Sequence, residues 1–591
     1  MNEQWVEIRK SGNYVELGNS LGVSPIVARI MKNRGLEDTA DMKRFLEPSL
    51  LDLHDPDLFK GMNILINIMK RKIEEKKKIR IIGDYDVDGI SSTFILYKGL
   101  SFLGADCDYR IPHRINDGYG INIRLIDEAH DDGIDTIITC DNGIAAREQT
   151  EHANSLGMTM VITDHHEVPF EISEGEKNFL LPNADAIVDP KMPGDTYPYS
   201  GICGAVVAYK VILKLAEAFE REKEAEFKVL TSELLEMAAV ATVCDVMELK
   251  DENRAIVKEG LKRLRLSKNP GMRALIKANS IEDRALTPYH LGFVIGPCLN
   301  ASGRLDTALK AMELLLCEDP FIAGEKAEEL KELNESRKKM TQDETDKAIE
   351  QVLSQEELDK VLVVYLPDCH ESLAGIIAGK VRERFFRPTF VLTRTEKGLK
   401  GSGRSIDAYD MYEHLTQVSD ELTKFGGHKL AAGISLEEDH LESFKRRLNE
   451  NCDLCDDDFK EIIRIDMELP LKYADMALCN DLERLEPCGT GNERPLFARR
   501  NVTFISGKKL GSTGRVAKYR VSDEGDRVYE LTYFGDTEAF EEYVAGIYGE
   551  EKARLLNSGM LVNISLDICY QVSINSFRGI ESAQIIMKYF R

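Results

Sequence analysis

Between residues 78 and 190, short β-branched runs alternate with stretches of helical period, and each run ends in an acid or a turn. Such alternation marks βαβ units and predicts a parallel sheet covered by helices. Lys78 to Gly83 reads as a buried strand ending at Asp84, followed by a helix from about Ile90 to Leu103. Ile134 to Cys140 ends at Asp141, Met158 to Thr163 at Asp164, and Ala186 to Val188 at Asp189. Ligands of open α/β sheets bind outside the carboxyl ends of the strands, so acids placed there predict one shared crevice.

Further along, Thr231 to Val246 is helical and strongly apolar, with the lone acid Asp245 near its end. The stretch from about Ala323 to Leu353 is long, charged and helix-favouring with little apolar face, which predicts a helix connecting two units. Lys360 to Leu366 and Pro388 to Leu392 read as strands of a second α/β unit, which also holds two glycine-rich segments, Gly401 to Ser405 and Gly426 to Gly433. After about Phe459 the texture becomes β-like with little helix, as for a small barrel or sandwich. The expected organisation is a catalytic unit with an amino-terminal extension over 1–322, a connecting helix over 323–355, a second α/β unit over 356–455 and an all-β unit over 456–591.

The chain of 591 residues is too long for one core, and its 43% apolar and 30% charged residues are those of a globular protein. Its formal charge of −25 argues against a globally basic nucleic-acid coat and leaves room only for a local basic groove. Twelve cysteines are scattered without a dense disulfide framework, Met1 to Gly12 lacks the apolar core of a signal peptide, and no apolar run approaches the roughly 20 residues of a membrane helix. A cytoplasmic protein without a membrane partner is expected.

Asp84, Asp86 and Asp88 stand at alternate positions before Gly89 at the opening of a helix. Brought together they repel one another, and a divalent cation resolves the repulsion. With Asp141, Asp164, His165, His166 and Asp245 they offer mostly oxygen ligands and imidazole, which favours Mn²⁺ or Mg²⁺ over Zn²⁺. So many ligands exceed the needs of one ion. Two ions about 3.5–4 Å apart, sharing a bridging carboxylate, suit hydrolysis of a phosphate ester. Taken singly, a strand-end aspartate is more often a helix cap than a ligand; the convergence of several carries the reading.

Asp84-Tyr85-Asp86-Val87-Asp88-Gly89, Asp141-Asn142-Gly143, Asp164-His165-His166 and Ala241-Thr242-Val243-Cys244-Asp245 resemble, in order and spacing, the four motifs of the DHH phosphoesterases. Ile111-Pro112-His113-Arg114 with Asp117-Gly118-Tyr119-Gly120 is similar to a loop beside the family's active site, and Leu299 to Arg304 to its fifth motif. Gly401 to Ser405 and Gly426 to Gly433 resemble the DHHA1 substrate-binding domain, and Leu485 to Phe497 with Tyr570 to Gly579 resembles a carboxyl-terminal OB-fold. The implied fold class is α/β: a parallel-sheet DHH domain, a long helix, a smaller α/β DHHA1 domain and a C-terminal all-β OB-like domain.

The resemblance implies that Asp86 and Asp88 bind different metals, that Asp141 bridges them, that His165 and Asp245 hold the second ion, and that Asp84 completes the shell of the first. His166 would face the scissile phosphate and Asp164 would orient a histidine. Arg114, Arg304 and Arg404 would grip phosphate, with Asn300, Ser402, Gly426, Gly427 and His428 as further substrate contacts. In the last unit, Lys508, Lys509, Arg515, Lys518 and Arg520 with Tyr519 and Phe534 are candidates for a stacking groove. The implied activity is a two-metal 5′→3′ exonuclease that degrades single-stranded DNA to 5′-mononucleotides in repair and recombination, with a helicase and a single-strand-binding protein as implied partners. The competing expectation is a small-substrate DHH phosphoesterase: a nano-RNase, a cyclic-dinucleotide phosphodiesterase or a pyrophosphatase.

Overall fold

A computed structural model of the chain describes residues 3–173, 176–511, 514–525, 527–577 and 579–591. Met1, Asn2 and Arg578, which fall in segments singled out above, lie outside the described residues. A first strand, β1 (Glu3–Glu7), is followed by helices Tyr14–Leu21, Pro25–Asn33 and Thr39–Leu46. The expected parallel sheet then appears as β2 (Lys78–Ile82), β3 (Asp106–Arg110), β4 (Thr136–Cys140) and β5 (Thr159–Thr163). An exposed hairpin, β6 (Phe170–Ser173) with β7 (Glu176–Phe179), precedes the edge strand β8 (Ala186–Val188). The sheet order is β3-β2-β4-β5-β8, every pair parallel, so the carboxyl ends of β2, β4 and β5 lie side by side.

Helix Val87–Phe102 is apolar almost all round, which suits its place inside the unit: Ile90, Phe94, Ile95, Leu96 and Leu100 are fully buried among sheet and helices. Helix Ala225–Cys244 packs beside it. Its carboxyl-terminal half is continuously buried from Leu234 to Thr242, and Asp245 sits at its C-cap.

The connecting helix spans Pro320–Leu353, 34 residues capped by Asp319. It is not a bare rod. Ala323, Ala327, Leu330 and Asn334, then Thr341, Thr345, Ala348 and Val352, form a buried stripe. The helix lies against helices Pro270–Ala278 and Gly296–Leu305 of the first unit and Ala374–Phe385 of the second. Small and polar side chains make that stripe, which is why the sequence shows little apolar face.

The second unit carries β9 (Leu362–Tyr365), β10 (Thr389–Thr395), β11 (Gly398–Arg404), β12 (Lys424–His428) and β13 (Ala431–Leu436) in the order β12-β13-β11-β10-β9. The glycine-rich segments are thus not loops throughout: Gly401 to Arg404 lies in β11, and Gly426 to Gly433 spans β12 and β13 with the turn at Lys429–Leu430. One face of β11 is pressed so closely against its neighbours that a Cβ on Gly403 would lie 2.6 Å from the Met411 sulfur and from Phe390. The glycines answer to sheet packing there.

The last unit contains β14 (Glu461–Ile465), β15 (Met467–Glu468), β16 (Phe497–Leu510), β17 (Val516–Ser522), β18 (Tyr529–Phe534), β19 (Ile564–Phe577) and β20 (Ile580–Phe590). Strands β15 to β20 form one sheet that closes through a β16–β19 pairing, as in an OB-like barrel. Strand β1 pairs with β14, and Val27, Ile30, Met31, Met42 and Phe45 share the barrel's core. The first helices thus lie on the last unit, where Ser24 N donates to Asp481 across a sequence separation of 457 residues. No helix among the described residues is long and apolar enough to cross a membrane.

Arg254, on helix Asp251–Leu264 of the first unit, joins these parts. Its buried guanidinium donates to the carbonyls of Phe45 (2.6 Å), Leu485 (2.9 Å), Glu486 (2.8 Å) and Pro487 (3.0 Å), and stacks 3.8 Å from the Phe45 ring centre. Replacing Arg254 by Met should cost on the order of 3 kcal/mol, because it strands buried carbonyls without donors. A lowered denaturant midpoint for the barrel's transition checks this; an unchanged midpoint counts against the clamp.

Candidate metal centre and phosphate cleft

The sheet delivers its acids at one end, and local backbone geometry aims them. Asp86 caps helix Val87–Phe102, its Oδ1 accepting from the amides of Asp88 (2.9 Å) and Gly89 (3.0 Å). The capping alternative is therefore real for Asp86, but it occupies only one of the two oxygens. Gly89 is required at that turn: a Cβ there would meet the Asp84 carbonyl at 2.3 Å. The Asp88 carboxylate accepts from the Gly204 and Ala205 amides (2.7 and 2.8 Å), at the start of helix Gly204–Ala218. Asp141 holds a left-handed backbone (φ 59°), fixed by the Tyr119 hydroxyl donating to its carbonyl at 2.9 Å.

The side chains converge in three overlapping groups, with ligand atoms within 4.8 Å of one another in each: Asp84, Asp86 and Asp141; Asp88, His165 and Asp245; Asp141, His165 and His166. His165 Nε2 lies 3.0 Å from Asp141, 3.5 Å from Asp88 and 3.8 Å from Asp245. Asp141 is common to two of the groups and touches the third through His165.

Burial and then repulsion set the charges. Asp84 is pushed well above the carboxylate range by burial and by Asp86, and Asp141 by burial, Asp88, Asp86 and Asp84. Burial, Asp88 and Asp86 lift Asp245 to about 8. Burial pulls His165 down, leaving it neutral as a ligand must be. Asp84 Oδ2 and His165 Nδ1 are buried without a hydrogen-bond partner. Converging carboxylates, a neutral imidazole and an unpartnered oxygen fit divalent cations.

Asp164 stands apart from this. Its Oδ1 accepts from the His165 and His166 amides and lies 2.7 Å from His166 Nδ1, while Oδ2 accepts from Ile144 N. Burial pulls His166 down, but the Asp164 hydrogen bond and charge outweigh it and raise His166 to about 9. His166 stays cationic at neutral pH, with the Tyr119 hydroxyl 3.2 Å from Nε2.

The arginines close the other side. Arg114 lies 4.6 Å over the Tyr85 ring, between the first two aspartates of the cluster in sequence. Arg304 reaches the second unit, its Nη1 donating to Ser372 O at 2.8 Å. Arg404 passes Gly375 at the start of helix Ala374–Phe385. Burial and then Arg114 pull both Arg304 and Arg404 down from the usual guanidinium range, so the three are neighbours. Each remains charged, and none has a carboxylate within salt-bridge distance among the described residues.

Register explains the second unit's part. Arg404, Ala431 and His428 form one cross-strand row, and Ser402, Gly433 and Gly426 the next row on the same face. A Cβ on Gly426 or Gly433 would meet nothing, so the rows form an open shelf ending at Arg404 and Ser402. Gly427 points the other way, against Ala431 and Ala432, and is a packing residue here. Asn300, on helix Gly296–Leu305, keeps a buried Oδ1 without a partner. His428 is exposed on the edge strand β12, at the end of the row that starts at Arg404.

Tyr119 went unassigned in the sequence although its loop stood out; only the fold shows that its hydroxyl serves both Asp141 and His166. Asp189, buried at the end of β8 and raised to about 7 by burial and Asp164, ends its strand as the metal acids do but joins no metal group. The barrel candidates separate from the cleft. Tyr519 is fully buried, Lys509 pairs with Glu541 and Lys518 with Glu530. Of the expected groove, β17 turns Tyr519 into the core, while Lys508, Arg515, Arg520 and Phe534 stay exposed on the barrel.

Three family models match the chain: DHH family, N-terminal domain, over residues 78–242; DHHA1 domain over 358–453; and RecJ OB domain over 465–589. The chain is 34% identical to the single-stranded-DNA-specific exonuclease RecJ of Bacillus subtilis, over 97% of this chain and 68% of that protein. It is 31% identical to the protein of the same name from Salmonella typhimurium, over 95% of each. The crystal structure of RecJ in complex with Mn²⁺ from Thermus thermophilus superposes with a TM-score of 0.81 and 26% identity, over 100% of this chain and 80% of that one.

The raised carboxyls bind protons more tightly folded than unfolded, so their stabilising contribution is complete below about pH 4 and is lost as pH climbs through the folded values, Asp245's near 8. Metal that replaces the protons should therefore stabilise more at high pH. The gain in melting temperature from adding Mn²⁺ to chelator-treated protein should grow from about pH 5 to about pH 9. A gain independent of pH would contradict the assignment.

Proposed function

Because this chain belongs to the RecJ family of single-stranded-DNA-specific exonucleases, we propose that it hydrolyses single-stranded DNA from the 5′ end to 5′-mononucleotides, with two Mn²⁺ or Mg²⁺ ions. The reading is carried by the meeting, in one cleft, of the overlapping aspartate and histidine groups with three guanidiniums that have no carboxylate partner. Asp84, Asp86 and Asp141 would hold one ion, and Asp88, His165 and Asp245 the other, with Asp141 as bridge. Such ions neutralise phosphate oxygens and lower the pKa of water for in-line attack at phosphorus.

The protein's own groups do the rest. Arg114, Arg304 and Arg404 grip phosphate on the face opposite the acids, each guanidinium matching two oxygens. Ser402 and the shelf around Gly426 and Gly433 lie where backbone and sugar pass, and Asn300 turns its free Oδ1 toward a donor. Asp164 keeps His166 protonated, so His166 donates Nε2–H to a phosphate oxygen as the P–O3′ bond breaks, and it holds no lone pair with which to act as base. Tyr119 fixes both His166 and the Asp141 backbone.

The reaction implies single strands supplied by a helicase or guarded by a single-strand-binding protein, and a cytoplasmic site of action. The test is incubation with Mn²⁺ or Mg²⁺ and end-labelled single strands, duplex DNA, short RNA and pyrophosphate. Mononucleotides should appear from the 5′ end of single strands, and a chelator should abolish them. Activity confined to dinucleotides or pyrophosphate would overturn the reading in favour of a small-substrate phosphoesterase.

Asp141→Asn should abolish turnover while leaving the metal-free melting temperature equal or higher, since it relieves repulsion; a melted variant would refute the bridging role. His166→Gln should lower kcat about 10²- to 10⁴-fold with little change in KM, as for loss of a positioned proton donor.

A further inference from the structure

Outside the metal cleft, one surface collects cations without partners. On helix Pro270–Ala278, Arg273 and Lys277 stand four residues apart on the exposed face, opposite the buried Met272, Leu275 and Ile276. Arg265, just after helix Asp251–Leu264, and Arg284, on the following loop, are exposed beside them. None of these four has a carboxylate within salt-bridge distance among the described residues. All four line a cavity of about 1640 Å³, together with Lys268 and Lys331 and the acids Glu282, Glu325 and Glu328, so cations outnumber acids on its wall. Arg265 and Leu286 also line a second cavity of about 510 Å³, which reaches Val572 to Ile574 on β19 of the barrel. The two cavities adjoin at Arg265 and Leu286, from the first unit to the barrel.

An aromatic pair follows in the chain directly after Thr287 and Pro288, which line the second cavity. From Leu286 the chain runs to Tyr289 and Phe293, which stack with centroids 5.1 Å apart and are 63% and 67% exposed. The next turn packs on the end of helix Ala225–Cys244: Cys244 Sγ donates to Leu291 O at 3.5 Å, one residue before Asp245.

We propose that this groove, marked by Arg265, Arg273, Lys277 and Arg284 with the Tyr289–Phe293 pair, is a second binding track for the backbone and bases of single-stranded DNA beyond the nucleotides at the metals. The inference rests on the exonuclease reading above. In a chain of net charge −25 a polyanion is repelled except where cations stand unpaired, and exposed aromatic faces beside a basic groove stack bases of any sequence. On the barrel face that the sequence suggested for this role, Tyr519 is buried and Lys509 and Lys518 pair with glutamates, leaving Lys508, Arg515 and Arg520 with Phe534, and no stacked aromatic pair. An acidic polypeptide would satisfy the cations, but it gives the stacked aromatic pair no use.

The test is the full-length triple variant Arg265→Glu, Arg273→Glu, Lys277→Glu beside the charge-keeping set Arg265→Lys, Arg273→Lys, Lys277→Arg. With labelled strands of roughly 30 nucleotides in chelator, the reversal should weaken binding at least about tenfold and flatten the salt dependence by about 2 in slope, as for three lost single-strand phosphate contacts. The charge-keeping set should retain both. Hydrolysis of strands of roughly 5 nucleotides, too short to leave the cleft, should stay within about twofold of the parent, which also shows the variant folded. Unchanged long-strand affinity and slope overturn the track, and leave the exonuclease reading standing if the parent still degrades single strands. Loss of poly-glutamate binding with DNA affinity intact assigns the groove to an acidic polypeptide and overturns it too. A parent that binds no single strand defeats both readings.

Discussion

Everything in the catalytic half depends on holding like charges together where water is scarce. Asp84 and Asp141 are almost wholly buried, and Asp245 and Asp88 face them across a few ångströms. No flexible loop would keep such a cluster; the charges would drift apart. The parallel sheet prevents this by fixing the ends of β2, β4 and β5 side by side, and the buried helix Val87–Phe102 pins the Asp84–Asp88 turn from behind. The site is a region of low intrinsic stability carried by rigid neighbours. The left-handed backbone of Asp141, tied by Tyr119, is the local expression of that constraint.

Both units supply the opposite sign. Arg404 projects from a row of the second unit's sheet, Arg304 of the first unit bridges to Ser372, and Arg114 of the first unit rests on Tyr85 beside Asp84 and Asp86. Between the two lies a space with anionic ligands for cations on one wall and cationic ligands for anions on the other. A metal-bound phosphate is the species that satisfies both walls at once. The 34-residue helix, packed on both units through its stripe of small residues, sets the distance between them.

Much of this was legible because strand-end acids are a positional signal: a β-branched run followed by Asp gives both the strand and the site, and Asp84, Asp141 and Asp164 were found that way. Asp245 was visible as one acid ending an apolar helix, where the helix dipole disfavours it. What escaped depends on long-range packing. Gly401 to Arg404 and Gly426 to Gly433 look like loops because glycine has low β propensity, yet they are strands whose glycines face a crowded layer or an open shelf. Tyr519 has the composition of a base-stacking residue, and only the register of β17 turns it inward. Asp86 is both cap and cluster member, and local sequence cannot separate the two.

Arg254 and the pairing of β1 with β14 have a consequence for how the chain comes into being. The first 46 residues bury Val27, Ile30, Met31 and Phe45 against a barrel whose last strand ends at Phe590. On the ribosome those residues are made more than four hundred residues before the barrel strands that cover them. Through that interval the nascent chain carries an apolar segment without its barrel partners. The nuclease unit lies between the two in sequence and is made beside an interface that strands β16 to β20 complete.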